Sequence, residues 1–145
     1  MSQTATTPKL DKLLYTARTH TIGGRDHGIA RSDDGQLEVR FSPPGSGRPG
    51  TNPEQMLAAG WSACFEGALD ILARKQRITF PSDPALDAEV DLNTGADGFF
   101  LRARLNVSLP GLDREVAQAL VDEAHKICPY SKALSKSIDI TVTLV

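Results

Sequence analysis

The sequence predicts an α+β fold with a largely antiparallel sheet, in the order βββ-α-ββ-α-β. Three observations predict it. Period-two runs come in consecutive groups, three before residue 42 and two between 86 and 109. They do not alternate with helices as a βαβ chain would. Two long helical patterns follow these groups, and a glycine- and proline-rich loop precedes the first helix.

Lys12–Ile22 alternates, with Leu13, Tyr15 and Ala17 on one side and Leu14, Thr16, Arg18 and His20 on the other. Gly23-Gly24 breaks this strand. A short strand at Ile29–Arg31, the turn Ser32-Asp33-Asp34-Gly35 and a strand at Gln36–Phe41 complete an antiparallel meander. Ser42–Gly50 carries three prolines and three glycines and reads as a loop. It lacks the lysine and hydroxyl of a phosphate cradle. The parts flanking it are each too small to fold alone, so residues 1–145 are expected to form one domain, with residues 1–10 as a flexible tail.

Asn52 is a good N-cap, Pro53 suits the first helical position, and Glu54 suits the positive end of the dipole. Gln55 completes a capping-box pattern. From Met56 to Leu72, Ser62, Glu66 and Asp70 form one narrow polar stripe on an otherwise apolar helix. Such a helix is expected to be buried on most sides. One small sheet cannot cover it, which argues for a homodimer.

Leu86–Leu92 and Phe99–Leu109 read as a hairpin joined by Asn93–Gly98. In its second strand Phe99, Leu101, Ala103, Leu105, Val107 and Leu109 face one way. Asp113 caps a helix whose apolar face is Val116, Ala117, Leu120, Val121, Ala124 and Ile127. Pro129 disfavours helical geometry at Cys128, so the helix is expected to end there. A helical turn at Ser131–Ser135 and a strand at Ile138–Val145 follow.

Composition narrows the function. The chain is 40% hydrophobic and 23% charged, with a net charge of −2 and no basic stripe, which points away from nucleic acid. The polar stripe interrupts the only long apolar run, so no membrane span is expected. The N-terminus has neither a basic nor an apolar leader region, so a cytoplasmic location is expected. His20, His27 and His125 are dispersed, and no metal is expected.

The chemistry rests on two cysteines, Cys64 and Cys128, separated by nearly half the chain. Permanent disulfides are rare in a reducing cytosol. Cys64 lies about three turns into its helix, where the dipole helps little and burial raises a thiol pKa. Its bland reading is a small core residue. A reactive Cys64 needs a cation from another segment. Cys128, at a helix C-terminus, is the poorer nucleophile and the more natural second thiol. Arg25, after Gly23-Gly24, is the candidate cation, or else a surface arginine after a turn. Glu54 would hold that arginine by a bidentate pair, or else simply compensates the helix dipole. Asp26 either orients Arg25 or caps the turn. Glu54 and Cys64 are about 15 Å apart along one helix. A shared site therefore needs a bridging arginine or a second subunit.

Together Leu14-Tyr15-Thr16-Ala17, Gly23-Gly24-Arg25-Asp26, Asn52-Pro53-Glu54-Gln55, Ala58-Ala59-Gly60-Trp61-Ser62-Ala63-Cys64-Phe65 and Cys128-Pro129-Tyr130-Ser131 resemble the organic hydroperoxide resistance (Ohr) proteins of the Ohr/OsmC family. The resemblance runs from about Leu13 to Val145. Trp61 stands where tyrosine is more usual. The resemblance implies an intertwined homodimer with sheets around central helices, acting as a thiol peroxidase on alkyl and fatty-acid hydroperoxides. It implies Cys64 as the peroxidatic and Cys128 as the resolving thiol, with Arg25 stabilising the thiolate and Glu54 orienting Arg25. It also implies no bound cofactor and recycling by a dihydrolipoyl dithiol, free as dihydrolipoamide or on a lipoylated protein. Met56, Trp61, Phe65, Phe99 and Phe100 are candidate pocket residues or ordinary core. Two other readings use the same thiols: a redox-sensing interaction protein, and a dimer with a stabilising bridge.

Overall fold

A computed structural model of the chain describes residues 11–145; the predicted tail at 1–10 lies outside them. The chain falls into two compact units, one ending at Thr51 and the other running Asn52–Val145.

The first unit holds β1 (Thr19–Ile22), α1 (Gly24–His27), β2 (Ile29–Ser32) and β3 (Glu38–Arg40). The strands form an antiparallel sheet in the order β1-β2-β3, as the meander predicts, with Ile22 opposite Ile29 and Ile29 opposite Arg40. The turn after β2 is held by side chains: Leu37 N donates to Ser32 Oγ at 2.9 Å and Gln36 N to Asp34 Oδ1 at 3.0 Å. Phe41 bridges to Thr51 and so closes the proline-rich loop at its base. The strand expected over Lys12–Ile22 begins only at Thr19. Its partner β2 ends at Ser32, opposite Thr19, and turns away. Residues 11–18 therefore have no ladder to join and lie exposed. The single helical turn α1, after Gly23-Gly24, is an element that periodicity does not reveal.

The second unit holds α2 (Pro53–Lys75), β4 (Ala85–Gly95), β5 (Gly98–Ser108), α3 (Arg114–Ile127), α4 (Pro129–Leu134) and β6 (Asp139–Leu144). The Asn52 cap forms as expected, its Oδ1 accepting from Gln55 N at 2.9 Å. Asp113 caps α3 in the same way, accepting from Val116 N at 3.2 Å. β4 and β5 pair antiparallel along their whole length, from Ala85 opposite Ser108 to Gly95 opposite Gly98. The loop between them is just Ala96 and Asp97, shorter than the sequence suggests.

One pairing departs from the expected sheet: β6 runs parallel to β5. The chain leaves the far end of β5, returns through α3 and α4, and re-enters the sheet in the same direction. A helical crossover of this kind gives parallel strands, where a tight turn gives antiparallel ones. The sheet is therefore mixed, with order β4-β5-β6.

The core of this unit lies between the sheet and the helices. Trp61, Phe65, Leu69 and Leu72 of α2 join Ala103, Leu105 and Val107 of β5 and Leu120, Val121 and Ala124 of α3. Fully burying each of the larger side chains stabilises the fold by about 1.5–3 kcal/mol. On β5 the predicted inward face is right from Ala103 to Leu109, while Phe99 is 77% exposed beyond the helices' cover. The length and composition of α2 would allow a membrane crossing, but four of its large apolar residues, Trp61, Phe65, Leu69 and Leu72, are used in this core. The expectation that α2 is buried on most sides is not met within one chain. Ala59, Ala63 and Ile71 remain exposed on the face away from the core, because a three-stranded sheet and two helices cover only one side.

Candidate functional site

The two cysteines meet. Cys64 Sγ accepts from the Cys128 thiol at 3.5 Å, and neither is in a disulfide. Two local features bring Cys128 there. α3 stops at Ile127, and Cys128 takes an extended conformation, φ −64 and ψ 120, as Pro129 requires of the residue before it. Pro129 then opens α4 at its first position. Cys128 thus sits at a sharp joint between two helices, completely buried and aimed at α2. Cys64 is half-buried. A disulfide has an S–S length of about 2.05 Å, so closure needs a movement of roughly 1.5 Å.

Burial pushes the Cys64 thiol above its ordinary value. The backbone N–H of Tyr130, at the start of α4, hydrogen bonds the sulfur and offsets part of that rise. Cys128 adds to it, first through the hydrogen bond between the two sulfurs and then through the repulsion that a second negative charge there would bring. The direction agrees with the expectation from helix position: a Cys64 that acts as a thiolate at neutral pH requires further positive charge. The help from the Tyr130 N–H is a contribution the sequence reading missed. The signal for it was Pro129, which starts a new helix and leaves the next N–H groups free to donate.

Arg25 belongs to the first unit, on the turn α1. Gly23 and Gly24 have φ of +91 and +70, the left-handed geometry that two glycines supply at low cost. Gly28 closes the turn. It is buried, and a Cβ there would overlap the Gly24 carbonyl oxygen and come within 2.9 Å of the Ile22 carbonyl oxygen. Gly28→Ala is therefore expected to destabilise the chain by about 1–3 kcal/mol through backbone displacement. A lowered urea midpoint would record this; an unchanged midpoint would show that the turn yields freely. Arg48, from the proline-rich loop, grips the same turn. Its Nη2 donates to the Asp26 carbonyl oxygen at 2.8 Å, and its Nη1 lies 2.9 Å from His27 Nδ1. A guanidinium only donates, so His27 Nδ1 accepts and the imidazole proton is on Nε2. Neither Arg48 nor His27 stood out in the sequence, because nothing local links residues so far apart.

In the second unit Glu54 is in the first turn of α2, half-buried, ten residues before Cys64. Met56 is half-buried on the same helix. Trp61 and Phe65 are fully buried in the core. Trp61 Nε1 donates to Ser131 Oγ at 3.0 Å. Phe99 and Phe100 are exposed on the β4–β5 hairpin, with the Arg102 guanidinium 5.5 Å over the Phe100 ring. Ser131 is fully buried beneath Trp61, a placement its position in a predicted helical turn did not indicate.

Two thiols in van der Waals reach, one buried and one half-open, can be oxidised to a disulfide without rebuilding the fold. Comparison with known proteins places the chain in a family. Residues 44–143 match the model of the OsmC-like protein family. The chain is 41% identical over 138 residues to the organic hydroperoxide resistance protein of Xanthomonas axonopodis pv. citri, covering 92% of this chain and 96% of that one. It is 42% identical over 136 residues to the organic hydroperoxide resistance protein OhrB of Bacillus subtilis, covering 90% and 98%. The crystal structure of Bacillus subtilis OhrB superposes with a TM-score of 0.84 at 41% identity, covering 92% of this chain and all 100% of that one. An organic hydroperoxide resistance protein from Legionella pneumophila superposes with a TM-score of 0.85 at 37% identity, covering 92% and 98%. The chain belongs to the Ohr/OsmC family, among its organic hydroperoxide resistance proteins.

Proposed function

We propose that this chain is a two-cysteine thiol peroxidase that reduces alkyl and fatty-acid hydroperoxides to alcohols. The observation that carries the reading is the 3.5 Å approach of two free cysteine sulfurs. The Cys64 thiolate attacks one peroxide oxygen, the O–O bond breaks, and the alkoxide leaves and takes a proton to become the alcohol. Cys64 is then a sulfenic acid. The Cys128 thiol condenses with it, forming the disulfide and releasing water. A dithiol reduces the disulfide by exchange and is itself oxidised to a cyclic disulfide.

Arg25 supplies the positive charge that burial makes necessary at Cys64, and it also stabilises the departing alkoxide. Glu54 orients Arg25. Arg48 and His27 hold the α1 turn that carries Arg25. Met56, half-buried on α2, is the pocket residue best suited to an apolar peroxide tail. The reductant is of the dihydrolipoyl type: a small dithiol reaches a half-buried sulfur where a bulky protein thiol is hindered, and ring closure drives the second exchange. No bound cofactor takes part. The exposed apolar face of α2, with Ala59, Ala63 and Ile71, fits a homodimer. Thiols that cycle between free and bonded states suit a reducing cytoplasm.

Single-turnover oxidation tests the reading. Fatty-acid and tert-butyl hydroperoxides are expected to oxidise Cys64 at least about tenfold faster than hydrogen peroxide, because the apolar surroundings favour an apolar tail. Cys128→Ser is expected to complete one oxidation, to give a dimedone adduct on Cys64, and then to stall. Dihydrolipoamide is expected to recycle the wild-type protein and thioredoxin to do so poorly. Full turnover by Cys128→Ser, or a preference for hydrogen peroxide, would sink the proposal.

A further inference from the structure

Ser131 is the only polar side chain in the buried core of the second unit among the described residues. Its hydroxyl has one side-chain partner there, the indole N–H of Trp61, at 3.0 Å. Both residues are fully buried. Trp61 stands three residues before Cys64 on α2, and Ser131 stands three residues after Cys128 on α4. We infer that the Trp61–Ser131 hydrogen bond is a positioning brace for the thiol pair: it holds α4 against α2 in the register that keeps Cys128 within reach of Cys64.

Three neighbouring contacts share this register. Cys128 meets Cys64 at 3.5 Å. The Tyr130 N–H bonds the Cys64 sulfur. The Tyr130 ring lies directly over Gly60, where an added Cβ would come within 2.7 Å of Tyr130 Oη. Apolar packing alone tolerates small slides between helices, whereas a buried hydrogen bond is directional and costly to leave unmade. Ser131 is also stiffly placed, since its carbonyl accepts from Ser135 N at 3.0 Å and Ser135 Oγ at 2.6 Å. The brace therefore acts through α4 as a whole. It favours disulfide closure and leaves attack on the peroxide to Cys64 and its cation.

The reaction it serves rests on the thiol-pair reading above. Cys64 sulfenic acid and the Cys128 thiol give the disulfide and water; the hydroperoxide supplies the oxidising equivalents. Closure exchanges only the two thiols with an external thiol–disulfide couple, so its equilibrium can be measured without any peroxide.

The full-length protein is equilibrated in reduced and oxidised glutathione, and the effective concentration of the Cys64–Cys128 pair is read by mass spectrometry after alkylation. Ser131→Ala and Trp61→Phe are each expected to lower it about tenfold, equivalent to about 30 mV. The double variant is expected to fall no further than the lower single variant, since both remove one bond. In a peroxide chase, Ser131→Ala is expected to slow disulfide closure about tenfold while changing the Cys64 oxidation rate by less than about threefold, so that dimedone-trappable sulfenic acid accumulates. An unchanged glutathione equilibrium in Ser131→Ala would overturn the brace. So would an equal slowing of oxidation and closure, which marks general loosening. If wild-type Cys64 is not oxidised by hydroperoxide at all, the peroxidase reading fails while the glutathione equilibrium still decides the brace.

Discussion

Cys64→Ser is expected to lose at least about 10³-fold in organic hydroperoxide consumption, because a serine hydroxyl at neutral pH offers almost no anion to attack the O–O bond. The loss should appear in the single-turnover rate as well as in steady state with dihydrolipoamide, since no first oxidation takes place. The folded structure should change little. Cys64 is half-buried at the edge of the core, and serine is nearly the same size. A circular dichroism spectrum matching wild type would show that chemistry, and not folding, was removed. Steady dithiol-dependent activity in Cys64→Ser would move the reaction to another group and end the two-thiol account.

Arg25→Ala is expected to lower the Cys64 oxidation rate about 10²–10³-fold at pH 7, the usual consequence of removing a charge that stabilises both nucleophile and leaving group. Its pH dependence is the sharper observation. Burial raises the Cys64 pKa, with the Tyr130 N–H only partly opposing it. Without the arginine the thiol should be mostly protonated at neutral pH. Below such a pKa the thiolate fraction grows about tenfold per pH unit. The log of the rate in Arg25→Ala should therefore climb with a slope near one from about pH 6 to 8. On the role proposed for Arg25, the added positive charge should make the wild-type profile flatter over that range. Parallel profiles would show that Arg25 leaves the Cys64 thiolate alone and acts, if at all, on the substrate. Arg25→Lys should recover part of the rate, as a point charge does without the planar fork.

Much of the fold was legible because it is encoded over short stretches. The Asn52 and Asp113 caps, the end of α3 before Pro129 and the inward face of β5 all follow from backbone geometry within a few residues. The Leu13–Arg18 stretch alternates as well as any strand but forms none, because a ladder needs a partner and β2 turns away at Ser32. β6 has ordinary strand composition, and its parallel pairing is fixed by the crossover that precedes it. The thiol pair was half legible. Both cysteines stood out by residue type and by the Ohr motif pattern, but their contact did not. The hydrogen bonds from Trp61 to Ser131 and from Arg48 to the Asp26 carbonyl carry no local signature, because each links segments from distant parts of the sequence.

The sequence by itself determined where the two long helices start and stop, which faces are apolar, and that two thiols are the reactive groups of the chain. Those are consequences of sterics, capping and periodicity acting between near neighbours. Only the tertiary structure decided that Cys64 and Cys128 touch, that a peptide N–H from α4 reaches the Cys64 sulfur, and that an indole is tied to the core's one buried hydroxyl in the second unit. Each of these depends on how α2, α3 and α4 pack against one sheet. Packing is set by the summed burial of many side chains, which no short stretch of sequence contains.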